Sequence, residues 1–186
     1  MTDDRRQTTD DRMHSSSVVR PPSSVLRRPS SILRLTLTAQ DLNARYAQAI
    51  DDNKLEAWPD FFTENGRYRV TTAENFERGL PLGMIHATSR AMLRDRVRSL
   101  RDANVYEAQR YRHILGAPLV TPGAEGMVEA QTSFMVARVM HSGETTLFAT
   151  GRYHDRIMLD GGEAHFAEKL VILDSRLIDT LLAIPL

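Results

Sequence analysis

The stretch VEAQTSFMVARVMHSGETTLFATGRYHDRIMLDGGEAHFAEKLVILD, residues 128–174, decides the fold. It is rich in β-branched and aromatic residues. Two short glycine-containing turns, Ser142-Gly143 and Asp160-Gly161-Gly162, cut it into three long runs. Long strands joined by such turns are hairpins, because glycine takes the positive φ that a tight hairpin loop needs. The segment therefore predicts an antiparallel meander. Upstream, YRHILGAPLVTP (111–122) also reads as strand and ends at a turn over Gly123–Gly126. Strands this long bury one face only if the sheet twists and curves strongly.

Helices precede this meander. Thr38-Ala39-Gln40-Asp41 reads as a weak capping box, and Ala39, Leu42, Tyr46, Ala49 and Ile50 recur at spacings of three and four, predicting an amphipathic helix to about Asp51. A short helix is expected over about Leu55–Phe62, with Pro59 in its early turns. Glu64-Asn65-Gly66 has turn chemistry, and Arg67–Thr71 then reads as strand with Tyr68 and Val70 on one face. GLPLG (79–83) is a loop. A further helix is expected over about Ser89–Ala103, with Met92, Leu93, Val97 and Leu100 inward and Arg90, Arg94, Arg98 and Arg101 outward. Helices followed by a meander make an α+β fold, here a curved, mainly antiparallel sheet wrapped on N-terminal helices to form a cone. Trp58, Phe61 and Phe62 would cap its open end or pack the helices on the sheet.

Residues 1–34 differ in composition. Seven arginines stand against four aspartates, and no periodic apolar face occurs, so this segment is expected to be a flexible tail ahead of a domain at 35–186. Its aspartates argue against a transit peptide. Arg27-Arg28-Pro29-Ser30-Ser31 is a candidate phosphorylation site, and an arm docking on a partner is the other reading.

Charge and composition remove several classes of function. Lys+Arg and Asp+Glu are both 24, so nothing favours nucleic acid or an anionic membrane surface. No apolar run reaches the roughly 20 residues of a membrane span. There is no Cys, which removes disulfides, thiolate nucleophiles and Cys-ligated metal centres. There is no phosphate-cradling loop, nucleophile elbow or zinc-protease motif. The His residues show no helical i, i+4 pair. The stretch RAMLRDRVRSLRDANVYEAQRYRH (90–113) interleaves arginines with Tyr106 and Tyr111. It reads as a solvated helix face or as a subunit interface, with nucleic acid contact least favoured. A cone of this type can enclose an acid–base pocket, for which Asp60, His86, His113 and Asp155 are the candidates. Spacing does not choose among them.

AWPDFFTENGRYRV (57–70), RYRHILG (110–116), FMVARVMHSGETTLFATGRYHD (134–155) and the ending DTLLAIPL (179–186) resemble the small (β) subunit of aromatic-ring-hydroxylating dioxygenases, over about residues 38–186. The resemblance implies the cystatin-like cone of nuclear transport factor 2 and scytalone dehydratase. It also implies assembly with a large (α) subunit, usually as an α3β3 hexamer. That partner would carry a Rieske 2Fe-2S cluster and a mononuclear iron, and a reductase would bring electrons from NADH or NADPH. The reaction would add dioxygen to an aromatic carboxylate of the terephthalate kind, giving a cis-dihydrodiol in the cytoplasm. This chain would then be a non-catalytic partner holding no cofactor. Arg67, Arg69, Arg110, Arg112, Arg138 and Arg152, on strands where charge alternates with apolar residues, are the expected subunit contacts. The apolar Ile184-Pro185-Leu186 would be buried in the cone mouth or against another subunit. The alternative is a stand-alone dehydratase or isomerase of the same fold, which predicts an open pocket holding a buried Asp–His pair.

Overall fold

In a computed structural model of the chain, residues 27–103, 107–177 and 182–186 are described. The first 26 residues, most of the predicted tail, lie outside that range, as does Tyr106. The elements in chain order are α1 (Arg27–Asp51), a 3-10 helix (Leu55–Phe61), β1 (Phe62–Thr72), α2 (Ala73–Glu77), β2 (Ile85–Ala87), α3 (Arg90–Asp102), β3 (Gln109–Leu115), β4 (Leu119–Pro122), β5 (Met127–Met140), β6 (Thr145–Asp160) and β7 (Glu163–Leu173). The strands form one sheet in the order β2-β1-β7-β6-β5-β3, and β4 also pairs with β5. Every pairing is antiparallel except β1 with β7, which is parallel. This is the expected α+β cone, open rather than closed into a barrel.

Its first helix starts well before the predicted cap. The Thr36 and Thr38 hydroxyls donate to the carbonyls of Ile32 and Arg34, four residues back. Such back-bonding occupies the side chain of Thr38 within a continuing helix, so it cannot cap a new one. The inward stripe is as read: Ala39, Leu42, Tyr46 and Ile50 are buried. In α3, Ser89 caps by accepting from the Met92 N–H, and Leu93, Val97 and Leu100 are buried. Met92 is half-exposed and receives the Thr88 hydroxyl instead of joining the core.

The sheet curves because three of its strands are bulged. In β1 the register shifts between Phe62 and Arg67. Glu64-Asn65-Gly66 is thus a bulge within the strand and not a turn. The reason for glycine there is space: a Cβ on Gly66 would lie 2.8 Å from Phe62 Cβ. Shifts at Phe148 in β6 and Ala167 in β7 each reverse the in–out alternation. Phe148 therefore turns inward beside Tyr111, and Phe166, Lys169 and Val171 face the interior in place of His165 and Ala167. Each bulge tightens the twist locally, which lets strands of 14 and 16 residues wrap one core.

Aromatic residues fill the narrow part of the cone. Trp58 meets Phe62 and Tyr68 edge-on at 5.9 and 5.1 Å, and Phe166 lies 5.4 Å from Phe62. Phe134 stacks on Tyr153 at 4.3 Å. That stack requires a glycine alongside: a Cβ on Gly151 would sit 2.1 Å from the Ile172 carbonyl oxygen and 3.1 Å from the Phe134 ring. Gly151→Ala must therefore spread β6 from β7. Its expected cost is about 3 kcal/mol in chemical denaturation, the upper range for overpacking. A wild-type midpoint in that variant would show that the strands can part freely.

Candidate functional site

The inner face of the cone carries the chain's most unusual chemistry. Lys169, in the middle of β7, is fully buried. Its ammonium donates to Asn43 Oδ1 at 2.7 Å and to both Asp155 oxygens at 3.1 and 3.2 Å. Asn43, on α1, donates from Nδ2 to Asp155 Oδ2 at 3.0 Å and to Thr132 Oγ1 at 3.4 Å. The ammonium also lies over the rings of Tyr153, Phe166 and Tyr46, at 3.7, 4.3 and 4.6 Å from their centroids. Removal from water disfavours both charges. Burial pulls the Lys169 pKa down to about 8, and the Asp155 carboxylate opposes that fall. Burial likewise raises the Asp155 pKa, with Lys169 and Asn43 pulling the other way. Lys169, Asp155 and Asn43 satisfy one another, leaving no open polar atom for a substrate.

Residues 182–186 pack into the same interior. Leu182, Ala183, Ile184, Pro185 and Leu186 are all buried. Tyr46 Oη donates to the Leu186 main-chain oxygen at 2.7 Å. Tyr68 Oη donates to the same oxygen at 3.2 Å and accepts the Leu186 N–H at 3.0 Å. Burial raises the pKa of both phenols, Tyr68 to about 12, so they remain donors. Arg96 of α3 fastens the segment by donating to the carbonyls of Leu182 and Ala183 at 2.8 and 3.2 Å. Arg90 and Arg101, read as outward-facing, are also clamps within the chain. Arg90 donates to the Phe62 carbonyl, and Arg101 forks onto Glu56 at 2.7 and 3.1 Å while also donating to Asn53.

The four acid–base candidates are not brought together. Asp60 and His86 are exposed, and Asp155 is tied to Lys169. His113 faces inward on β3 and pairs with Asp51 at the end of α1, with Nδ1 to Oδ1 at 2.7 Å and its own N–H to Oδ2 at 3.0 Å. A buried Asp–His pair, the feature expected of the acid–base alternative, is thus present. It sits under the β3 edge of the sheet.

The expected subunit contacts divide in the same way. Arg67, Arg110 and Arg112 are exposed on the outer face of the sheet, and Arg69 and Arg152 are half-buried there. Arg152 lies 5.9 Å over the Phe76 ring of α2. Arg138 is only 7% exposed and packs over Phe148 inside the cone. It shares the inward face of β5 with Phe134 and Val136. Ile184, Pro185 and Leu186 are buried by their own chain, the cone-mouth form of the expectation. Sequence reasoning missed Lys169, Asn43 and Asp51 as site residues. The one available signal was Lys169 itself, a charge set in the apolar run FAEKLVIL in a chain whose other lysine is Lys54.

The donor atoms bear on the metals the resemblance implies. A Rieske cluster takes two cysteines, and the chain has none. Among the described residues, no three His, Asp or Glu side chains come together as a metal site. Without cysteine the chain cannot ligate a Rieske cluster, and its described residues form no mononuclear iron site. Also among the described residues, no helix is long and apolar enough to cross a membrane.

Comparison with known proteins agrees with the geometry. The family described as "Ring hydroxylating beta subunit" matches residues 45–180. The terephthalate 1,2-dioxygenase terminal oxygenase component subunit beta 1 of Comamonas sp is 46% identical over 144 residues, covering 77% of this chain and 94% of that protein. The anthranilate 1,2-dioxygenase small subunit of Burkholderia cepacia is 36% identical over 145 residues, covering 78% of this chain and 90% of that one. Among solved structures, the β subunit assigned to an aromatic-ring-hydroxylating dioxygenase of Novosphingobium aromaticivorans superposes with a TM-score of 0.76. It is 35% identical and covers 83% of this chain and 98% of that one.

Proposed function

The chain belongs to the ring-hydroxylating β subunit family, and from that premise we propose that it serves as a rigid docking subunit with no chemistry of its own. It is the small subunit of an aromatic-ring-hydroxylating dioxygenase, an accessory component of the terminal oxygenase, and its partner is a large subunit. Our reading of the rest follows. The complex is an α3β3 hexamer in the cytoplasm. The large subunit holds the Rieske 2Fe-2S cluster and the mononuclear iron, and a reductase feeds it from NADH or NADPH. The substrate is an aromatic carboxylate such as terephthalate, the compound in the name of the 46% identical relative. Residues 35–186 carry the docking function, and 1–34 are an appendage to it.

The observation that supports this reading most is the filled cone. Leu186, Lys169 and an aromatic cluster pack its interior, all buried. What the chain offers outward is the opposite face of the sheet. There Ile114 and Met135 are cross-strand partners, 54% and 39% exposed, and Leu147 is 63% exposed on the next strand. Arg110, Arg112 and Arg152 surround them, while Arg67 and Arg69 lie toward the far edge on β1. Arginine and methionine around apolar side chains is the composition of protein interfaces, and the arginine forks suit carboxylates on the large subunit.

The test is co-purification. Ile114→Asp with Met135→Asp should leave thermal unfolding of this chain near wild type, because both positions face solvent. It should release the chain from a tagged large subunit, with loss of about ten-fold or more in recovered complex. Full recovery of the complex would remove the outer face from the account.

A further inference from the structure

The strand β6 outruns its neighbour β7. It begins at Thr145, but β7 pairs with it only from Gly151 onward. Just past the end of that pairing the Asp174 N–H donates to the Thr150 oxygen at 3.0 Å. The chain then turns off, with Ser175 Oγ accepting the Leu177 N–H at 3.1 Å and Arg176 reaching Glu74 of α2 at 3.8 Å. Thr145, Thr146, Leu147 and Ala149 pair with β5 on one side. Among the described residues, no strand pairs with them on the other. A groove of about 360 Å³ lies there, between Thr146–Thr150 of β6 and the turn of Ser175 and Leu177.

An unpaired edge carries main-chain N–H and C=O groups aimed away from the sheet, which makes it a template for another strand. In an antiparallel strand these groups alternate, half toward one neighbour and half toward the other. Edges are kept from pairing by charge, by proline or by bulges. Residues 145–150, TTLFAT, hold no charge and no proline. The bulge at Phe148 leaves Thr145, Thr146 and Leu147 in regular register with Val139, Arg138 and Ala137. Leu147 points outward at 63% exposure, and Leu177, on the other bank of the groove, is 81% exposed. No charged side chain lines the groove, so a charged residue entering it would lose water and gain no partner. What fits is an uncharged, extended segment with an apolar residue set against the two leucines.

We propose, on the reading that this chain docks on a large subunit, that the free edge of β6 takes a strand from that subunit. The occupant is an uncharged extended segment, adding beside Thr145–Leu147 by main-chain hydrogen bonds. Leu147 belongs also to the outer face of Ile114 and Met135, so the added strand continues the surface assigned to docking. It gives the complex a main-chain contact that side chains on the outer face do not supply.

Hydrogen–deuterium exchange resolved to single amides tests it, on the full chain alone and on its complex with the large subunit. The amides of 145–147 that point away from β5 should exchange freely in the chain alone and about a hundred-fold more slowly in the complex. One segment of the large subunit should slow with them. Leu177→Glu sets a charge in the groove from a solvent position outside the outer face, so the chain should still fold as wild type. Recovery of its complex should fall about ten-fold, and the edge should lose its protection. Fast exchange at those amides in the wild-type complex would overturn the proposal, as would full recovery and protection with Leu177→Glu. Slow exchange in the chain alone, or protection with no matching segment in the large subunit, would assign the edge to this chain or a second copy and overturn it too. The docking face is judged separately. If Ile114→Asp with Met135→Asp stays bound, that face fails while edge protection still upholds the added strand. If it is released and the wild-type edge stays fast in the complex, the face stands and the added strand falls.

Discussion

Lys169→Ala leaves the chain largely unfolded, while replacing Asn43, Asp155 and Lys169 together by Leu, Leu and Met leaves it folded. The single change strands the Asp155 carboxylate at 2% exposure with Asn43 and no cation. Breaking one partner of a buried ion pair costs about 3–5 kcal/mol, a large share of the 5–15 kcal/mol that stabilises a typical domain. The triple change removes both charges and the amide that bridges them, and replacing such networks by apolar groups of similar size is often neutral or stabilising. Urea unfolding followed by circular dichroism distinguishes the two. A pH series adds a second check. The pKa of Lys169 in the folded chain is about 8, against 10.5 for an exposed lysine. Between those values the unfolded chain holds a proton that the folded chain has released, so stability from this group rises with pH across that window. The buried tyrosines act in the other direction, and only above about pH 10, because their folded-state pKa values are raised. Wild type minus triple variant should therefore gain stability from pH 8 to pH 10. A flat difference would mean that Lys169 is solvated.

Deleting Ile184, Pro185 and Leu186 has an effect at least as large. It removes two large buried aliphatic side chains, each contributing about 1.5–3 kcal/mol. It also strips the acceptor from the Tyr46 and Tyr68 hydroxyls, both fully buried. The sum is about 5 kcal/mol or more, enough to lower the melting temperature by about 10–20 °C or to abolish a cooperative transition. Loss of assembly then follows from loss of fold. A truncated chain with wild-type melting that fails to assemble would instead place the segment at an interface.

Parts of this were legible in the sequence and parts were not, for physical reasons. The three long strands of 127–173 were readable because their alternation is local and their turns carry glycines at positive φ, at Gly143, Gly161 and Gly162. The bulges were not, since one inserted residue looks like ordinary strand until its partner is known. Those unread bulges reversed the faces of Phe148 and Phe166. The parallel pairing of β1 with β7 joins segments about a hundred residues apart and has no local signal. Five-residue α2 and three-residue β2 are too short for any periodicity to show. At the site, His113 and Asp155 were nameable from residue type. Their partners Asp51, Asn43 and Lys169 were not, because hydrogen bonds spanning 62, 112 and 14 residues exist only in the folded chain.

The central claim is that this chain positions a catalytic partner and performs no chemistry itself. Its most direct test is to co-express it with its large subunit, purify the complex, and dissociate it under mild denaturant. Iron and Rieske absorbance are then measured in each fraction, and aromatic acid oxidation is measured before and after. The account predicts a complex in which all iron travels with the large subunit and oxidation is lost on separation. Iron remaining with this chain, or full oxidation by the large subunit alone, would contradict it.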